Sequence, residues 1–255
     1  MKNGYLYFHQ GWTDIVCQLS LVNYYVKKYD NLKVIMRQDS QNLFNFYIKD
    51  LPSVFPIYIP TDHGRHINND HFNVDFTYDW LFHGFHDEFR NDKFQYSFLN
   101  NHNHVYFIEG FYTSYNINYS ERIDSFNLIR DENMENILYE KFIKQYGINY
   151  IIYHDDINNH IHGPNSISTK IDLPSIPNVV NVNLNNKSDI FFDYLKIIHE
   201  AKEIHIIDSV WAAICYQMDS KYGTFNDKII NLYAKRGHVP MFTYPKLLKN
   251  WNIII

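Results

Sequence analysis

The chain has 255 residues, 45% hydrophobic and 20% charged, enough for a sizeable core shared between two small domains. Its formal net charge is −5 and no basic tract runs through it, which argues against nucleic-acid and membrane-surface binding. No apolar run reaches membrane-span length, the start MKNGYLYFHQ is unlike a signal peptide, and Cys17 and Cys215 suit a reducing compartment, so a soluble, cytoplasmic protein is expected.

Gly4 to Phe8 reads as a first strand, because its aromatic residues are β-prone. The polar stretch His9 to Asp14 stops it. From Ile15 a helical pattern places Ile15, Leu19, Val22 and Val26 on one face, and Leu32 to Met36 forms a second strand. This β-loop-α-β start predicts a parallel, doubly wound sheet, with the loop after the first strand at the carboxyl edge where such sheets bind ligands. A helix is expected over Asn42 to Ile48 and a short strand over Ile57 to Ile59. Thr61 to Asp75 reads as a loop, Thr77 to Phe98 as partly helical, Val105 to Ile108 as a strand and Ser120 to Ile129 as extended.

Asp131 to Tyr146 has an acidic first turn after a capping Asp131, buried positions at Ile137, Leu138, Phe142 and Ile143, and a stop at Gly147. The second half repeats the β/α theme. Strands are expected at Tyr150 to Tyr153, Val179 to Val182 and Ile204 to Ile207, with helices at Asp189 to Glu200 and Val210 to Met218. Lys228 to Ala234 reads as a strand or short helix, and the apolar tail after Pro245 is too greasy to hang loose. The expected domains are 1–147 and 148–255, the tail being a candidate to pack back on the first.

The stretch AKEIHIIDSVWAAICYQM carries the clearest chemical signal. A buried strand, the polar break Asp208-Ser209 and a helix starting at Val210 bring free N–H groups and a positive dipole end to one point, an anion site. The simpler reading is that Asp208 and Ser209 cap the helix. Two further sets fall at strand ends: Asp14, and His154 with Asp155 and Asp156. Adjacent carboxylates with His160-Ile161-His162 nearby could instead hold a divalent cation, although no third cluster at ligand spacing accompanies them.

Two segments, GWTDIVCQLSLVNYYVKKYDNLKVIM and AKEIHIIDSVWAAICYQM, resemble the first β/α unit and the donor-site strand and helix of GT-B glycosyltransferases of the heptosyltransferase-like kind. The second half, from YIIYHDD to the KNW tail, is also similar to small GT-B-like proteins. The chain departs from the group at Val210-Trp211, where a Gly and a His are common, and in its shorter length. The resemblance implies two Rossmann-like β/α domains facing across a cleft, in a compact GT-B arrangement. It implies transfer of a sugar from a nucleotide-diphosphate donor to a glycan or other hydroxyl acceptor, by inversion and without a metal or bound cofactor. Asp14 would be the base, with Gly11, Trp12 and Thr13 beside the acceptor. Ser209, Val210, Asp208, His154, Asp155 and Asp156 would contact the donor, and Arg122, Arg130 and Lys170 would supply cations near the diphosphate. A silent nucleotide- or sugar-binding protein of the same fold, or a metal-dependent phosphoesterase, are the alternatives.

Overall fold

The computed structural model describes residues 1–8, 11–62, 66–67, 79–83, 107–113, 115–155, 170–184, 190–233 and 249–254. The chain divides into two units, Met1–Leu128 and Ile129–Ile255, each built on a parallel sheet of the Rossmann-like α/β kind.

In the first unit the described elements run β1 (Asn3–Phe8), α1 (Trp12–Tyr25), β2 (Asn31–Arg37), α2 (Gln41–Ile48), β3 (Val54–Ile59), β4 (Asp79–His83), α3 (Phe107–Thr113) and α4 (Glu121–Asp124). The four strands of its main sheet are parallel, in the order β3-β2-β1-β4. Within the stretch expected as a loop, Thr61–Asp62 and His66–Ile67 pair as a short antiparallel ladder outside that sheet. Leu6, Tyr7 and Phe8 of β1 are buried in succession, as a central strand covered on both faces requires. Pro56 lies in β3, an edge strand, where its missing N–H costs the ladder least.

Helix α1 is buried on nearly every side from Ile15 to Asn23, so its polar residues need internal partners. Gln18 donates to the Asp14 carbonyl at 3.0 Å and Ser20 to the Arg122 carbonyl at 2.5 Å. Tyr112 donates to the Cys17 carbonyl at 2.6 Å, and its removal from water raises the phenol pKa well above the ordinary range.

The second unit contains α5 (Glu132–Tyr146), β5 (Tyr150–His154), β6 (Val180–Asn183), α6 (Leu195–His199), β7 (Ile204–Ile207), α7 (Val210–Tyr222), β8 (Ile230–Tyr233) and β9 (Trp251–Ile254). Its parallel sheet has the order β9-β8-β7-β5-β6. One face carries the helices: Tyr150 donates to the Ile197 carbonyl at 2.8 Å, Phe142 meets Tyr150 edge-on at 4.7 Å, and Trp251 meets Tyr216 at 5.9 Å. On the other face Ile171 packs on Ile207 and Tyr233, with Leu173 and Ile254 beside them.

Asp219, 4% exposed near the end of α7, ties three segments together. It accepts from the Phe225 N–H at 2.9 Å, from Asn250 Nδ2 at 3.0 Å and from Trp251 Nε1 at 3.2 Å. Gly147 and Gly223 end α5 and α7 at φ 80° and 65°, a region that a side chain makes costly.

Several expectations from sequence are corrected. Residues 107–108 open helix α3 and are not the end of a strand: Ile108, Phe111 and Tyr112 are buried at helical spacing. Asp79–His83 is a strand where partial helix is expected, because pairing with β1 outweighs local propensity. One helical turn, α4, interrupts the expected extended run after Ser120. The helix expected from Asp189 begins as a 3₁₀ turn, Phe191–Tyr194, and becomes α only from Leu195. In α5, Ile137 is 38% exposed, and the buried positions are Phe142 and Glu135, the latter engaged by Arg130. That helix packs on α6 and the turn before it, within the second unit, so its residues group with 148–255. The tail residues Trp251–Ile254 pair with β8 as the last strand of the same sheet.

Candidate functional site

In an open parallel sheet, ligands bind beyond the carboxyl ends of the strands where the direction of winding reverses. The first sheet reverses between β1 and β4, and the second between β5 and β7. These positions put the loop after β1 at one edge, and the ends of β5 and β7 at the other.

At the second edge, Ile204–Ile207 is buried at all four residues and delivers Asp208 and Ser209 to the top of the sheet. Ser209 is the N-cap of the thirteen-residue α7, with an extended backbone at φ −155° and ψ 179°, yet its side chain makes no capping hydrogen bond. The residue is 3% exposed, and Ser209 Oγ has no hydrogen-bond partner among the described residues. Leaving a buried hydroxyl unsatisfied costs about 1–3 kcal/mol, so a cap without its bond is not a sufficient reason for Ser209. The N–H groups of Val210 and Trp211 sit in the same first turn, where no intrahelical carbonyl is available to them.

His154 ends β5, partly buried, and Asp155 follows it at 3% exposure. Asp155 accepts from Asn183 Nδ2 at 3.0 Å, which ties the loop after β5 to the end of β6. Lys170, exposed, is carried to this edge by its neighbour Ile171, which packs on the last residues of β7 and β8. Asp208 is partly buried beside Ser209. Asp156, His160 and His162 lie outside the described residues. Among the described residues no group of three or more His, Cys, Asp or Glu is placed to hold a metal ion.

At the first edge, Gly11 is the N-cap of α1, and Trp12, Thr13 and Asp14 form its first turn, all partly exposed. The Asp14 carboxylate folds back over Gly11: a Cβ there would overlap Asp14 Oδ2. Sequence reasoning missed two neighbours. Arg37 ends β2, its guanidinium carbon 6.0 Å from the Trp12 ring centroid, and its Nε donates to Asp39 Oδ1 at 2.7 Å. A charged residue closing an apolar strand, NLKVIMR, was the available signal.

Two expected cations have other roles. Arg122 is 1% exposed inside the first unit, where it donates to Tyr119 Oη at 2.7 Å and to Cys17 Sγ at 3.2 Å. No surface is left for a diphosphate there. Arg130 donates through Nε and Nη2 to the buried Glu135 carboxylate at 2.7 and 2.5 Å, and that bond raises its pKa further.

A third missed group crosses the second sheet. His205, 4% exposed, faces Tyr233 Oη through Nδ1 at 2.8 Å and Glu203 through Nε2 at 2.9 Å. Burial raises the Tyr233 pKa, and the charges of Glu203 and Asp172 add to it, which keeps the phenol neutral beside the ring. The group fixes the end of β8 beneath the Lys170 segment.

Comparisons with family models, curated proteins and solved structures give no match, so the functional reading rests on the residues described above.

Proposed function

We propose that the chain is a glycosyltransferase of GT-B type, moving a sugar from a nucleotide-diphosphate donor to a hydroxyl acceptor by inversion, without a metal. The observation that carries this reading is Ser209: a buried hydroxyl with no partner among the described residues, at the N-terminus of a helix long enough to present a full dipole. A phosphate oxygen would satisfy the hydroxyl and the adjacent N–H groups together.

In the proposed step, the acceptor oxygen forms a bond to the anomeric carbon as the bond to the diphosphate breaks. The leaving group takes that electron pair, and Asp14 takes the acceptor's proton. Ser209 Oγ and the N–H groups of Val210 and Trp211 stabilise the charge growing on the diphosphate, with Lys170 as the nearest proposed cation. His154 and Asp208 would orient the donor sugar. Asp155, engaged by Asn183, would shape the loop and leave direct contact to its neighbours.

The test combines a thermal-shift screen of nucleoside diphosphates and nucleotide sugars with a turnover assay, since a ligand that selects the native state raises its melting temperature. Ser209→Ala is expected to abolish the shift. Asp14→Asn should keep it while lowering turnover by ~10²–10⁴-fold. A shift without turnover in the unaltered protein would make it a silent binder, and a shift that needs added Mn²⁺ would reverse the metal-free assignment.

A further inference from the structure

The first sheet's carboxyl edge carries a charge arrangement that proton removal by Asp14 does not need. Arg37 is the last residue of β2 and 9% exposed, and Asp39 sits two residues later in the 3₁₀ turn Gln38–Ser40. Arg37 Nε donates to Asp39 Oδ1 at 2.7 Å, and Nη2 engages Oδ2 of the same carboxylate, a two-point fork. The buried Ser40 hydroxyl donates to the Arg37 carbonyl at 2.7 Å and fixes the turn beneath the pair. The fork leans on the Trp12 ring, 6.0 Å from its centroid. The Asp39 side chain is 46% exposed, so the pair has a solvent-facing side.

A rigid, charge-compensated pair beside an indole selects a particular chemistry. Asp39 cancels the guanidinium, so this is a poor site for a free anion. Asp14, in the first turn of α1, adds a second carboxylate. Together the turn 37–40 and the first turn of α1 carry two carboxylates against one guanidinium. With its charge already met by Asp39, the guanidinium offers an incoming phosphate or carboxylate little net attraction. A sugar's hydroxyls each donate and accept, which matches a carboxylate set beside a guanidinium, and the indole covers apolar C–H surface.

We propose that Trp12, Arg37 and Asp39 form a subsite for a neutral pyranose ring, gripped through adjacent hydroxyls, which rejects rings carrying phosphate or carboxylate. The inference rests on the transfer reading only in calling this ring the acceptor.

Saturation-transfer NMR on the full chain, with no nucleotide sugar present, tests it. The probes are the methyl glycosides of glucose, galactose and mannose against glucose 6-phosphate and glucuronate. At least one neutral glycoside is expected to receive saturation, with the anionic sugars weaker. Arg37→Lys, which keeps the charge but loses the fork, should remove the signal. Asp39→Asn, which removes one carboxylate, should shift preference toward glucose 6-phosphate by on the order of tenfold. Anionic sugars binding as well as neutral ones, no neutral glycoside binding, or an unchanged signal in Arg37→Lys would each overturn the subsite. Neutral binding without transfer activity would leave it standing and remove the transferase instead. Transfer indifferent to Arg37 would do the reverse.

Discussion

Gly11 shows how one atom's absence can serve position without serving stability. Its φ of −70° is open to any residue, so the glycine is not required by the backbone. What it provides is room: an added Cβ would overlap Asp14 Oδ2, the far end of a short side chain that can swing away. Gly11→Ala is therefore expected to change stability by less than about 1 kcal/mol. If Asp14 is the base, as proposed, the substitution should lower transfer turnover by on the order of 10²-fold, the scale of a misplaced reacting group. Chemical denaturation and the transfer rate, measured on the same preparation, check both halves. Equal losses in both would mean that Gly11 acts through folding. Arg122 teaches the converse: a cation that looks free in sequence is committed to Tyr119 and Cys17 and turns into a packing residue.

At the level of elements, α5 is anchored by named contacts. Asp131 is its N-cap and accepts from the Met134 N–H at 3.0 Å, while Arg130 grips Glu135 one turn inside. Asp131→Ala should cost about 1 kcal/mol in denaturant unfolding, with the nucleotide binding proposed at Ser209 unchanged. That cap was legible in the sequence, as were α1, α7 and the parallel strands β1, β2, β5 and β7, because each couples an apolar run to a boundary residue with one physical job. Other elements were not. The run DWLFH becomes a strand through pairing with β1, a partner more than seventy residues away in sequence, and 107–108 joins a helix because Ile108, Phe111 and Tyr112 bury one face. The Arg37–Asp39 fork was hidden for a related reason. Its meaning depends on Trp12, which approaches only once α1 and β2 are in place.

Across the whole molecule, the phenols set the alkaline limit. Tyr29 donates to Asp79 Oδ2 at 3.0 Å, and burial, then that bond and the Asp79 charge, push its pKa from 10.0 up to about 12. Burial raises Tyr25, Tyr58 and Tyr150 as well. Because the folded-state values exceed the unfolded value of 10.0, the stability they contribute is fully present below pH 10. It is lost as the pH rises through about 12. Phenolate absorbance followed together with circular dichroism should show the buried phenols ionising only as the fold collapses. Their gradual ionisation at the ordinary value, with ellipticity intact, would contradict this. The Asp219 clasp has a different consequence. Strand β9 reads WNII, and its isoleucines could slide one place along β8 with little change in greasy character. Such a slide would turn each of its side chains to the opposite face. Only one alignment lets Asn250 and Trp251 reach the same carboxylate, so the sheet's outermost strand takes its phase from a polar knot at its root rather than from the aliphatic residues along its length.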